Sequence, residues 1–209
     1  LDGIRNILPY GTNRQLQNEY STLVDAYKKN ELLEETGLAI FSLSSVLTDK
    51  AEPSEALKAT TVWSCGLKPA TYLLSSQQIS QFRKTTVVQP ENDVRANRGA
   101  YLLQADFSLE KNKEKEWFIA AEINQDMPQI AKLQNFLKGE SDIENLIKED
   151  IECGTKKLIK IVGSADGLQM SEDTLCTSRH FSNVLFNVMR GGIFDEGYQI
   201  SKTDLIDYI

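Results

Sequence analysis

Glu116-Trp-Phe-Ile-Ala-Ala-Glu-Ile-Asn-Gln-Asp-Met-Pro-Gln-Ile130 is where the chain changes character. Its first half carries aromatic and β-branched residues and reads as a strand. After Asp126 the period lengthens. Pro128 stands where a helix begins, since its fixed φ suits the first turn and its missing N–H costs nothing there. Ile130, Leu133, Phe136 and Leu137 then recur at helical spacing until Gly139.

Upstream of this switch the chain reads mostly as strand. Ser21–Leu33, a Glu35-Thr36-Gly37 turn and Leu38–Leu47 form an expected hairpin. Ala56–Leu67 adds Thr60, Thr61, Val62 and Trp63, a typical strand mixture. Ser75–Phe82 fits one or two helical turns. Gly99–Leu109 and Glu116–Ile123 flank a Lys/Glu/Asn-rich turn and predict a second hairpin.

Downstream, Ser141-Asp-Ile-Glu144 has capping-box spacing and opens a helix running to about Gly163, with Gly154 as a break point. Thr177 or Ser178 would cap a further helix that stops at Gly191-Gly192. The tail from Tyr198 to Ile209 suggests a strand and another helix. Strands first and helices after predict an α+β fold, with antiparallel sheet over 1–126 and helices packed on it over 127–209.

The helix Arg179–Phe194 holds the only histidine of the chain. At 100° per residue His180, Asn183, Asn187 and Arg190 fall within an arc of about 80°. Phe181, Val184, Leu185, Phe186, Val188 and Met189 occupy the rest. A helix so largely apolar is expected to be buried. Its polar stripe then needs partners, because an orphaned buried polar group costs about 1–3 kcal/mol. Those four residues are the candidate ligand contacts, and a structural hydrogen-bond seam is the competing reading.

Composition narrows the function. The 209 residues carry a formal charge of −7, which disfavours a phosphate-backbone partner and hence nucleic acid. No apolar run approaches the ~20 residues of a membrane span. Cys65, Cys153 and Cys176 are scattered, so neither a disulfide framework nor a metal site is expected, and a cytoplasmic setting is preferred. Chemistry needing a cofactor is not indicated, as GxxxxGK[ST] and GxGxxG are both missing.

Other candidates are weaker. Cys176 precedes His180 by four residues, but neither an oxyanion site nor an orienting group accompanies the pair. Asp106 and Asp166 are the carboxylates of most interest for glycoside chemistry, with turn or surface roles as the alternative. Trp63, Trp117, Tyr72 and Tyr101 would suit a sugar-stacking platform or simply a core.

Leu1–Gly11, Leu23–Lys28, Ala51–Ser64 and Arg179–Ile193 resemble an internal stretch of large cellobiose-phosphorylase-like proteins, relatives of glycoside phosphorylases acting on β-linked glucosides. The resemblance implies a mutarotase-like β-sandwich portion followed by linker helices. In that family an (α/α)6 barrel carries the general acid and most substrate contacts, and the ~80 residues after 126 are too few to hold it. The expectation is therefore a non-catalytic structural region, with no catalytic residue of its own, that packs against or shapes the barrel. Its partners would be the adjacent catalytic domain of the same polypeptide and an oligosaccharide. Leu1 in place of Met fits a segment of a longer chain. A free-standing carbohydrate-binding module and an independent glycoside hydrolase are the alternatives.

Overall fold

The computed structural model describes residues 1–12, 14–47, 55–192 and 201–209. In chain order the elements are β1 (Asp2–Ile7), α1 (Arg14–Glu19), α2 (Ser21–Ala26), β2 (Lys28–Leu33), β3 (Leu38–Leu43) and β4 (Lys58–Cys65). Then come β5 (Thr71–Ser75), α3 (Ile79–Thr85), β6 (Asp93–Arg95), β7 (Gly99–Gln104), β8 (Phe118–Asp126) and α4 (Met127–Gly139). Three helices complete the chain: α5 (Ile143–Ser164), α6 (Thr174–Gly191) and α7 (Lys202–Tyr208). The fold is α+β with antiparallel sheets. It divides into two compact units, Leu1–Glu144 and Asn145–Ile209.

The first unit holds a three-stranded sheet, β1-β7-β5, and a five-stranded sheet, β6-β2-β3-β4-β8. Their facing sides share one core. Ile7, Leu74, Tyr101 and Leu103 come from the smaller sheet, and Leu32, Ala39, Phe41 and Val62 from the larger. The outer face of the small sheet is covered by α3, where Ile79 and Phe82 pack on Leu73, Ala100 and Leu102. With both faces of a strand covered, alternation disappears. Gly99 through Leu103 in β7 are therefore all buried.

The β2–β3 hairpin forms as expected, pairing Lys28–Leu43 through Leu33–Leu38. Its turn depends on Gly37, which has φ 66° and donates its N–H to Leu33 O at 2.9 Å. A Cβ there would strike the Tyr72 hydroxyl. The same residue's carbonyl accepts a 2.7 Å hydrogen bond from Tyr101. Backbone freedom and close approach both require glycine at this turn.

The second expected hairpin does not form. β7 pairs with β1 and β5, whereas β8 pairs with β4 in the other sheet. The Lys/Glu/Asn segment between them carries the chain from one sheet to the other. Thirteen residues separate Gln104 from Phe118, well beyond the two to five of a tight hairpin loop. The amino-terminal region also contains more helix than the sequence suggests: α2 occupies Ser21–Ala26, the first half of a segment read as strand.

The switch after Asp126 is where the sequence placed it. Asp126 caps α4 by accepting from Gln129 N at 2.9 Å, while the Gln129 side chain accepts from Asp126 N at 2.9 Å. That reciprocal pair satisfies two orphan donors of the first turn. α5 runs through Gly154 without a break. One glycine costs a helix only about 1 kcal/mol relative to alanine. α7 occupies the end of the tail, and the strand expected at Tyr198 lies outside the described residues.

Candidate functional site: the apolar faces of α5 and α6

α6 begins earlier than expected, with Asp173 as its cap instead of Thr177 or Ser178. Its carboxylate accepts from Leu175 N at 2.9 Å and Cys176 N at 3.4 Å. A hydrogen bond from the Cys176 thiol, joined by these two, holds the Asp173 carboxyl below its usual range. The helix ends at Gly191, and Gly192 follows with φ 74°.

The polar stripe of α6 is not one assembled site. His180 is half-buried, and its Nε2 lies 2.8 Å from the carbonyl oxygen of Asp166. A carbonyl only accepts, so Nε2 carries the proton and donates. Arg190 lies over the Phe186 ring, 5.4 Å from its centroid. Asn183 and Asn187 are exposed, with no side-chain hydrogen bond among the described residues.

The His180 bond has a clear structural role. Asp166, at φ 62°, ends α5 in a Schellman motif. Gly167 N donates to Val162 O at 2.9 Å, and Asp166 N donates to Gly163 O at 3.1 Å. His180 caps this corner from the next helix. A Cβ on Gly167 would meet Val162 and Val184, the latter at 3.0 Å. Val162, Ala165 and Gly167 are buried at this corner.

The expected burial of this helix is not found, since none of its residues is buried. Thr177, His180, Phe181, Val184, Leu185 and Val188 are half-covered along one side. Around the rest, Leu175, Phe186 and Met189 face solvent, Met189 at 77% exposure. α5 shows the same pattern. Ile151, Leu158, Ile159 and Ile161 are exposed, Ile151 at 54%. Single exposed apolar residues are ordinary. On α5, Ile147, Ile151, Leu158 and Ile161 lie along one side of the helix, whereas on α6 the exposed Leu175, Phe186 and Met189 alternate with exposed Arg179, Ser182 and Arg190. Among the described residues, Val162 is the one buried side chain of α5 and α6 has none.

The remaining candidates fall into place by environment. Trp63 and Tyr101 are buried, Trp63 on the outer side of β4 and Tyr101 between the sheets. Tyr101 donates to Gly37 O and therefore accepts from Ser64 Oγ at 3.1 Å. Burial pushes its phenol well above the usual value. Tyr72 tilts against it with centroids 5.8 Å apart. Trp117 stands elsewhere, edge-on to Phe107 at 5.9 Å, and donates Nε1 to Asp2 at 2.8 Å. The four aromatics thus form no common platform.

The Cys176 thiol donates to Asp173 Oδ2 at 3.1 Å. That hydrogen bond holds the thiol protonated and raises its pKa, the reverse of an activated nucleophile. Asp106 is exposed beside Phe107 and Lys68 on an open hollow. Among the described residues no three His, Cys, Asp or Glu side chains are grouped to hold a metal ion. No described helix is long and apolar enough to cross a membrane.

Two polar clusters escaped the sequence reading. Glu91 closes the end of β5, accepting from Leu74 N and Ser75 N at 2.8 Å each, and from Gln78 Nε2 at 2.8 Å. Lys28 and Asn30 point into the layer between the sheets, where strand alternation should place apolar residues. Their parity with buried Leu32 was the available signal. No family model matches the chain, and no curated protein matches it.

Proposed function

We propose that this chain is a non-catalytic structural region of a larger carbohydrate-active, glycoside-phosphorylase-like protein. The two facing sheets correspond to the mutarotase-like sandwich of that family. The open apolar faces of α5 and α6 are the surface that the adjoining catalytic barrel covers. The observation that carries this reading is the run of exposed Ile151, Leu158, Ile161, Phe186 and Met189 on two long helices. At ~25 cal/mol per Å², covering such side chains drives association strongly. The sequence resemblance supplies the identity of the partner.

The test is reconstitution in trans. The chain and the remainder of its parent polypeptide are produced separately, mixed, and followed by calorimetry and by phosphorolysis of β-glucosides. The expected result is a stoichiometric complex that loses affinity when Ile151, Leu158 and Phe186 are all changed to Glu, with the sheet unit still melting normally. Equal binding by the triple variant overturns the reading. So does β-glucoside turnover by this chain alone.

A further inference from the structure

The middle of α5 is bare, since residues 151–161 are exposed without exception. Most of its apolar residues fall in a line. Ile147, Ile151, Leu158 and Ile161, with Gly154 between them, follow steps of four and three, the seven-residue repeat of a coiled-coil seam. At 100° per residue these positions span an arc of about 80°. Leu146 and Ile159 lie off that line. A helix that packs into a core carries a wider apolar stripe, of about 100° or more, so this seam fits the groove of a single neighbouring helix.

Gly154 sits at the centre of the seam. A glycine in mid-helix costs about 1 kcal/mol relative to alanine, and no described residue requires one here, because an added Cβ would meet no atom within 4 Å. It leaves a notch between Ile151 and Leu158, the shape of a hole that receives a large side chain from outside. The charges of α5 are also divided. Residues 144–152 hold four carboxylates and one ammonium, and residues 156–160 hold three ammoniums. Glu152 and Lys156 lie behind the seam and pair with each other at 2.7 Å. Asp150 and Lys157 flank the seam on one side, one repeat apart, and form no ion pair among the described residues. Helices favour acids early and bases late. A helix laid antiparallel to α5 therefore brings its bases to Asp150 and its acids to Lys157.

We propose that the partner domain meets α5 through one antiparallel helix, a partner chemistry that rests on the scaffold reading above. The apolar seam of that helix interlocks with Ile147, Ile151, Leu158 and Ile161. A large side chain from it fills the notch at Gly154, with a base beside Asp150 and an acid beside Lys157.

The test is calorimetry on the whole chain with two synthetic helical peptides of the length of α5, 22 residues. Both carry leucine at the seam positions, glutamates in the first half and lysines in the second. They differ at the position facing Gly154, which is leucine in one and phenylalanine in the other. Saturable binding of both is expected, with the phenylalanine peptide about tenfold tighter. Gly154→Leu fills the notch and should reverse that order, while circular dichroism shows no loss of helix. Asp150→Lys should weaken binding about tenfold, the scale of a lost interfacial charge pair, and Lys160→Gln behind the seam should change nothing. A nitroxide on the peptide N-terminus should broaden amide signals near Ile161 and spare those near Ile147. No binding of either peptide at millimolar concentration overturns the proposal. So does the same order of affinities in the wild-type and Gly154→Leu chains, unchanged affinity in Asp150→Lys, or broadening near Ile147. A dimer of the chain alone that Asp150→Lys dissolves assigns the seam to a second copy and overturns it too. None of these measurements uses the barrel, so failure here leaves the reconstitution result standing, and failed reconstitution beside a bound peptide removes the scaffold reading alone.

Discussion

β3 and α6 are both rich in large apolar residues, and they meet opposite fates. In β3, Leu38, Ala39 and Phe41 have no exposed surface, because the strand sits at the middle of a five-stranded sheet. In α6 no residue is buried. The difference lies in what each element needs for completion. A central strand finds hydrogen-bonding neighbours on both edges and a fully covered inner face, all from Leu1–Glu144. α6 satisfies its backbone internally and touches its own unit along one side only. Apolar composition states that a surface will be covered. It does not state that the same stretch of chain will cover it.

The comparison can be broken by substitution. Phe41→Ala should cost the first unit about 3–5 kcal/mol, the range for removing a large core side chain, read from urea denaturation. Tyr101→Phe keeps the ring but strands the Gly37 carbonyl and Ser64 hydroxyl, and should cost about 1–3 kcal/mol in the same assay. Asp173→Ala removes the α6 cap, so amide exchange at Leu175 and Cys176 should speed several-fold while the denaturation of the sheets stays unchanged. Phe186→Gln should alter stability by no more than ~0.5 kcal/mol, as expected of an exposed position, and should reduce any self-association seen by sedimentation. A large loss of stability from Phe186→Gln would place α6 with β3 and end the contrast.

The parts of this fold visible in sequence were those set by local chemistry. Asp126, Pro128 and Gln129 start α4 through contacts within four residues. Gly37 makes the β2–β3 turn, and Gly192 ends α6. What sequence did not show was the choice of distant partners. β7 and β8 have the right residues for a hairpin, but β1, β5 and β4 outcompete that pairing. The α6 stripe was visible as a pattern. That His180 would spend its donor on Asp166 depended on the Schellman turn, which places a carbonyl beside the next helix. Lys28 was hidden for a related reason. A lysine on a strand is ordinarily solvated, and only the fold brings Asp25 and Arg98 to it.

The most direct test of the proposed partner-facing role of α5 and α6 is hydrogen exchange on residues 1–209 alone and mixed with the proposed catalytic barrel. Amides along Ile147–Ile161 and Leu185–Met189 are expected to exchange markedly more slowly in the mixture, while those of β3 exchange equally slowly in both. Equal exchange along α5 and α6 in the two forms would contradict it.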